Sequence, residues 1–290
     1  MEGSTGPCGM DLEDHADPRA VFVDPQWLHE NLRGVFLFDC SWKLVGDPRA
    51  EHSRRRIADA DFFDQDAIAG TGRAGERPLM HMVPTRETFE AAMATFGVAT
   101  FDRIVLYDTS ADGRYATSRL WFLMRHVFKH PGPVYILRGG LQAWEAAGYS
   151  SEPQTSLPMA RSDYSCPEYH PKLVWGLQEM IANARSQQIQ IIDARVPERY
   201  SGKAPEPRPV LFQGHIRGAI SVPFTELDTA MERMDLMKHF VSYCGSGMTA
   251  AIINVRAWEM GSTHPGFLYD GSFAEWGNTD ECRELTETPE

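Results

Sequence analysis

The apolar runs of this chain come in an order that is written twice. Short runs at 35–39, 103–108 and 134–138 recur in the same order at 189–193, 240–244 and 267–270. Between the first two of each set lies a second shared signal, at 56–63 in one half and 215–224 in the other. After the third run, the helically spaced stretch ending at Trp144 matches the one ending at Trp276. Short apolar runs alternating with helical segments are the signature of a parallel sheet covered by helices on both faces. At offsets of about 135 to 160 residues, the repeat has the size of a domain rather than of a solenoid unit. The expected fold is therefore α/β, with two tandem domains, each a mostly parallel sheet covered by helices on both faces. We expect an acidic tail over 1–20, a first domain over 21–149, a linker over 150–168 and a second domain over 169–290.

The halves differ where it matters chemically. The first ends its central run with Tyr107-Asp108; the second ends it with Tyr243-Cys244. Gly245-Ser246-Gly247-Met248-Thr249 follows, and then a stretch with helical spacing of apolar residues, 250–258. A cysteine thus stands where a strand turns into a helix, inside a loop with two glycines. Such a loop can curl its N–H groups around one point, and the helix N-terminus adds partial positive charge there. The thiolate is favoured over the thiol, and the sulfur becomes a nucleophile at neutral pH. The competing reading is a structural cysteine before an ordinary glycine turn; the hydroxyls of Ser246 and Thr249 favour the reactive one. Loops at the carboxyl ends of strands are also where open α/β sheets bind their ligands.

Charge and composition narrow the function further. A net charge of −12, from 40 acidic against 28 basic residues, argues against a nucleic-acid partner and, more weakly, against anionic membrane surfaces. No apolar stretch approaches the roughly 18 residues of a membrane span. The acidic start of the chain reads as neither signal nor transit peptide. Cys8, Cys40, Cys166, Cys244 and Cys282 are sparse and lack metal-ligand spacing, so a reducing, cytoplasmic setting without metal or disulfides is expected. A phosphatase loop would need an arginine six residues after the cysteine; that position is Ala250.

Two duplicated α/β domains with an active cysteine only in the second resemble the tandem rhodanese superfamily. The loop from Cys244 to Ala250 is similar to the Cys-Gly-Ser-Gly-Val-Thr-Ala loop of its 3-mercaptopyruvate sulfurtransferases, with Met248 for the usual Val. Thiosulfate rhodaneses carry a Cys-Arg-Lys-Gly-Val-Thr loop instead, whose cations suit a dianion; Gly245 and Ser246 offer none. The segment from Glu198 to Arg208 resembles the family's Gly-Arg-Phe…Pro-Glu-Pro-Arg stretch. That resemblance implies that Arg199 and Arg208 clamp the carboxylate and carbonyl of the keto acid. Planar, always-charged donors suit such a group.

The resemblance also implies the chemistry. Cys244 takes sulfur from 3-mercaptopyruvate as a persulfide cradled by Gly245, Gly247, Met248 and Thr249, and a thiol acceptor such as thioredoxin removes it. No cofactor is needed. The alternatives are a thiosulfate:cyanide sulfurtransferase and a non-catalytic sulfur carrier that docks partner proteins. The family pairs a loop hydroxyl, here Ser246, with a first-domain His and Asp. Asp47 is the expected acid, but Arg56 stands at the His position and cannot relay a proton. Arg56 is either a third cation facing the substrate or a solvated surface residue. The stretch 227–239 is shorter than the family's and trims a cover near the site.

Overall fold

The computed structural model describes residues 19–153 and 161–288. Residues 1–18 of the expected tail, with Cys8, and the middle of the expected linker lie outside these residues. Two five-stranded sheets carry the fold. In the first, the strands run Phe22–Val23, Val134–Leu137, Ile104–Tyr107, Phe36–Asp39 and Asp61–Phe62 across the sheet. In the second, the equivalent order is Val174–Trp175, Phe267–Tyr269, Phe240–Tyr243, Gln190–Asp193 and Ala219–Ser221. Every neighbour in both sheets pairs parallel. The duplication read from the sequence is thus a duplication of topology, strand for strand.

Each central strand is buried along its whole length, Ile104–Tyr107 in one sheet and Phe240–Tyr243 in the other. Helices on both faces leave such strands no wet side, which is why they read as unbroken apolar runs. Local signals start several helices. Asp24 caps Pro25–Asn31 by accepting from the Trp27 N–H at 2.8 Å, and Thr85 caps Arg86–Thr95 through the Thr88 N–H. A proline follows Asp24 at the first helical turn, where its missing N–H costs nothing.

The helix after each central strand decides how the domains meet. Thr117–Phe122, continued by a π turn over Leu123–Val127, packs against Ala250–Glu259. Ala250–Glu259 is apolar nearly all round, because its own sheet covers one side and the first domain covers the other. One hydrophobic cluster therefore runs through both domains, from Phe38 and Trp121 to Ile252 and Leu268. Because the two helices face each other, the two loops that precede them come together as well.

Candidate active site

Cys244 ends the central strand of the second sheet and opens the loop to Ala250–Glu259. The loop is pinned from below. The Cys244 N–H donates to Ser272 Oγ at 3.1 Å, and its carbonyl accepts from the Phe273 N–H at 2.9 Å. The Gly245 carbonyl accepts from the Ala274 N–H at 2.9 Å. No side chain caps Ala250–Glu259, so the amides of its first turn stay available to a group held in the loop. The equivalent loop of the first domain shows what such a cradle holds. There the Asp108 carboxylate sits in place of the thiol and accepts from the N–H groups of Ser110, Ala116 and Thr117 at 2.9, 2.9 and 3.3 Å. Burial pushes this carboxyl's pKa upward, against the hydrogen bonds that favour its charge.

The glycines of the loop are required by close approach. A Cβ on Gly245 would stand 2.4 Å from Arg199 Nη2, so a side chain there would displace the guanidinium. Gly247 has φ +78° and carries its backbone against Arg119, where a Cβ would come within 2.8 Å of Nη1. Arg119 belongs to the first domain and is buried. It donates to the Gly247 carbonyl at 2.9 Å, to Asp270 Oδ1 at 2.7 Å and to the His81 carbonyl. The domain without the thiol thus grips the loop that carries it.

Cys244 opens into a cavity of about 200 Å³ lined also by Gly245, Ser246, Thr249, Arg199 and Arg208. The arginines are not equivalent. Arg199 is forked onto Glu206, with Nε 3.0 Å from Oε1 and Nη2 on Oε2. Glu206 is itself held by the buried Arg195, which pairs in turn with Asp193 at the end of strand Gln190–Asp193. A buried carboxylate between two guanidiniums keeps its charge compensated. Arg208 makes no hydrogen bond or ion pair with any described residue, so its fork is open to a ligand.

The two expected first-domain contributors are not part of this cavity. Arg56 is fully buried, neither facing a substrate nor solvated. Its backbone pairs with Glu152, its guanidinium donates to the Ala60 carbonyl, and its charge acts on Asp61. It is a structural cation between the helix Pro48–Arg54 and the strand Asp61–Phe62. Asp47 is the exposed N-cap of that helix, accepting from the Ala50 N–H at 2.9 Å. Capping, which the following proline signals, accounts for its carboxylate. Met248 turns its side chain into the core, so only its backbone is left to serve the loop.

The first domain sends other residues instead. Trp42, Leu44 and Tyr115 form one wall of the cavity, facing Phe224 of the second domain. Trp42 stacks on Tyr115 at 6.0 Å, and its indole N–H donates to Asp66 at 2.8 Å. The sequence held a signal for both. Trp42 follows the carboxyl end of strand Phe36–Asp39, and Tyr115 lies in the first-domain counterpart of the Cys244 loop. Among the described residues the other thiols are poor nucleophiles: burial pushes Cys166 up to about 11, Cys282 up to about 12, and Cys40 upward as well.

A duplicated parallel α/β fold with one thiol loop, gripped by its inert twin and faced by two arginines, defines a tandem thiol-transferase architecture. The "Rhodanese-like domain" profile matches residues 24–147 and 176–279, and the chain belongs to that family. It is 32% identical over 280 residues to human 3-mercaptopyruvate sulfurtransferase, covering 88% of this chain and 91% of that one. It is 32% identical over 293 residues to the Arabidopsis thaliana "Thiosulfate/3-mercaptopyruvate sulfurtransferase 1, mitochondrial", covering 88% and 75%. The crystal structure of the 3-mercaptopyruvate sulfotransferase SseA from Escherichia coli superposes with a TM-score of 0.74 at 27% identity, covering 87% of this chain and 98% of that one.

Proposed function

We infer that the protein is a sulfurtransferase that takes sulfur from 3-mercaptopyruvate onto Cys244 and passes it to a thiol acceptor. The observation that carries this reading is one cavity holding the Cys244 thiol, a free Arg208 fork and an Arg199 fork fixed by Glu206. The Cys244 thiolate forms a bond to the substrate sulfur as the carbon–sulfur bond breaks. The electron pair of that bond becomes the enolate of pyruvate. The substrate's thiol proton is balanced by the proton taken up at the methyl carbon, and an ionised persulfide stays on Cys244. The amides from Gly245 to Thr249 cradle its outer sulfur, where the first-domain loop holds the Asp108 carboxylate. An acceptor such as thioredoxin or a small thiol then attacks that sulfur, which gives ping-pong kinetics.

Pyruvate release from 3-mercaptopyruvate with dithiothreitol, and with thioredoxin, is the direct assay. Intact mass after donor treatment without acceptor should rise by one sulfur, about 32 Da, and Cys244→Ser should abolish both signals. Retention of the sulfur by that variant would remove Cys244 from the mechanism. The second reading, thiosulfate as donor, rests on the open Arg208 fork, which attracts any small anion. Because Gly245 and Ser246 bring no cation to the thiol, kcat/KM should favour 3-mercaptopyruvate; the opposite order would establish the thiosulfate enzyme.

A further inference from the structure

An α-keto acid bound in this cavity presents three groups to be matched. Its sulfur belongs at Cys244 and its carboxylate at the arginines. Its carbonyl oxygen needs a donor, because that oxygen takes the charge when the carbon–sulfur bond breaks. Where the family pattern has a histidine this chain has Arg56, which is buried away from the cavity. Among the donors on the cavity wall, the Trp42 indole is bonded to Asp66. Arg199 is tied to Glu206 through Nε and Nη2. Ser246 and Thr249 stand in the loop on the sulfur's own side, and their aliphatic hydroxyls are far weaker acids than a phenol.

Tyr115 remains. It lines the cavity, yet its hydroxyl makes no hydrogen bond with any described residue. Its ring is fixed from two sides. Trp42 stacks on it at 6.0 Å and 14°, and Phe224 meets it edge-on at 6.2 Å and 71°. One clamp comes from each domain, so the phenol is placed only when the domains are assembled. Burial first, and then the charge of Cys244, push its pKa upward, while Arg199 and Arg208 pull the other way. The phenol therefore stays protonated at neutral pH and acts as a donor, and the thiol and both arginines are all within electrostatic reach of it.

We propose that Tyr115 is a catalytic residue of the inert domain: its phenol donates a hydrogen bond to the keto-acid carbonyl oxygen and stabilises the enolate formed as sulfur leaves. The proposal rests on 3-mercaptopyruvate as donor. The phenol keeps its proton through the step or lends it and recovers it from water, so the balance of the reaction is unchanged. Donors aimed at a developing oxyanion are typically worth about a hundredfold or more in kcat.

The test is Tyr115→Phe, which keeps the ring between Trp42 and Phe224. Pyruvate release by the parent protein is measured first; a parent that releases none sinks the donor assignment and leaves the role of Tyr115 unsupported with it. With an active parent, kcat for 3-mercaptopyruvate should fall about a hundredfold or more, while KM changes less than about threefold. Inhibition separates the role further. Oxalate resembles the enolate and pyruvate resembles the ketone, so the variant should lose affinity for oxalate more than for pyruvate. An unchanged kcat would overturn the proposal. So would a lower kcat accompanied by a lower melting midpoint and equal losses for both inhibitors, which would reduce Tyr115 to packing.

Discussion

Arg199 and Arg208 line the same cavity, but among the described residues only Arg199 carries a protein carboxylate on its guanidinium. Arg208 is the free donor, and Arg208→Ala should lower kcat/KM for 3-mercaptopyruvate by about tenfold to a hundredfold, from the roughly 1.5–3 kcal/mol of a charge-assisted contact. Lys at 208 keeps the charge without the fork and should recover only part of that loss. Gly245→Ala tests the other arm. The new Cβ meets Arg199 Nη2, so the guanidinium must leave Glu206 or the loop must shift. KM for the keto acid should rise, with the thermal midpoint nearly unchanged; parent-like kinetics would show that Arg199 does not need its observed position. Arg56 belongs to stability. Arg56→Ala should leave the pH–rate profile of the folded enzyme intact and cost about 1–3 kcal/mol in urea unfolding, as expected when buried groups lose a partner. A new ionisation in the profile of Arg56→His would return that residue to the site.

The interdomain helices carry two burdens beyond packing. Arg119 sits on Thr117–Phe122 and holds the Gly247 carbonyl, so it positions the Cys244 loop from the other domain. Arg119→Met keeps the apolar stem but removes the donors. The persulfide should then form at least about tenfold more slowly, with a fall in kcat larger than the rise in KM; an unchanged loading rate would confine Arg119 to stability. His126 lies in the π turn that follows, against Trp121 at 5.3 Å and Trp258 of the second domain at 4.8 Å. Burial, with help from Arg125 and Lys129, lowers its pKa to about 3. The unfolded chain binds this proton near pH 6.5 and the folded one does not. The contribution of His126 is therefore complete above about pH 6.5 and is lost progressively as pH falls toward about 3. Urea midpoints measured from pH 7 to 4 should fall less steeply in His126→Phe than in the parent; parallel curves would show that His126 is not a source of the acid sensitivity.

At the scale of the molecule, the two domains share one hydrophobic cluster instead of meeting across a wet interface. Domains joined through apolar packing lose the independence that polar interfaces allow. Tryptophan fluorescence and far-UV dichroism should therefore report one coincident unfolding transition; two resolved transitions would show that the domains separate. Much of this architecture was legible in the chain. The repeated order of runs set two parallel sheets, because a strand buried on both faces must be apolar throughout. The position of Cys244 between a strand and a helix was legible too, because the apolar run before it and the helical spacing after it are local. The segment resembling the family's carried both arginines, Arg199 on the short helix Pro197–Tyr200 and Arg208 beyond it. The rest depended on which surfaces touch. Asp47 and Arg56 were assigned by their place in a motif, and the structure uses them as a helix cap and a buried structural cation. Trp42, Tyr115 and Arg119 lie 125 or more residues from the cysteine whose cavity or loop they meet. No local pattern encodes that meeting. It follows from two apolar helices, one from each domain, that can be hidden from water only against each other, and only the tertiary structure could decide which side chains they carried into the site.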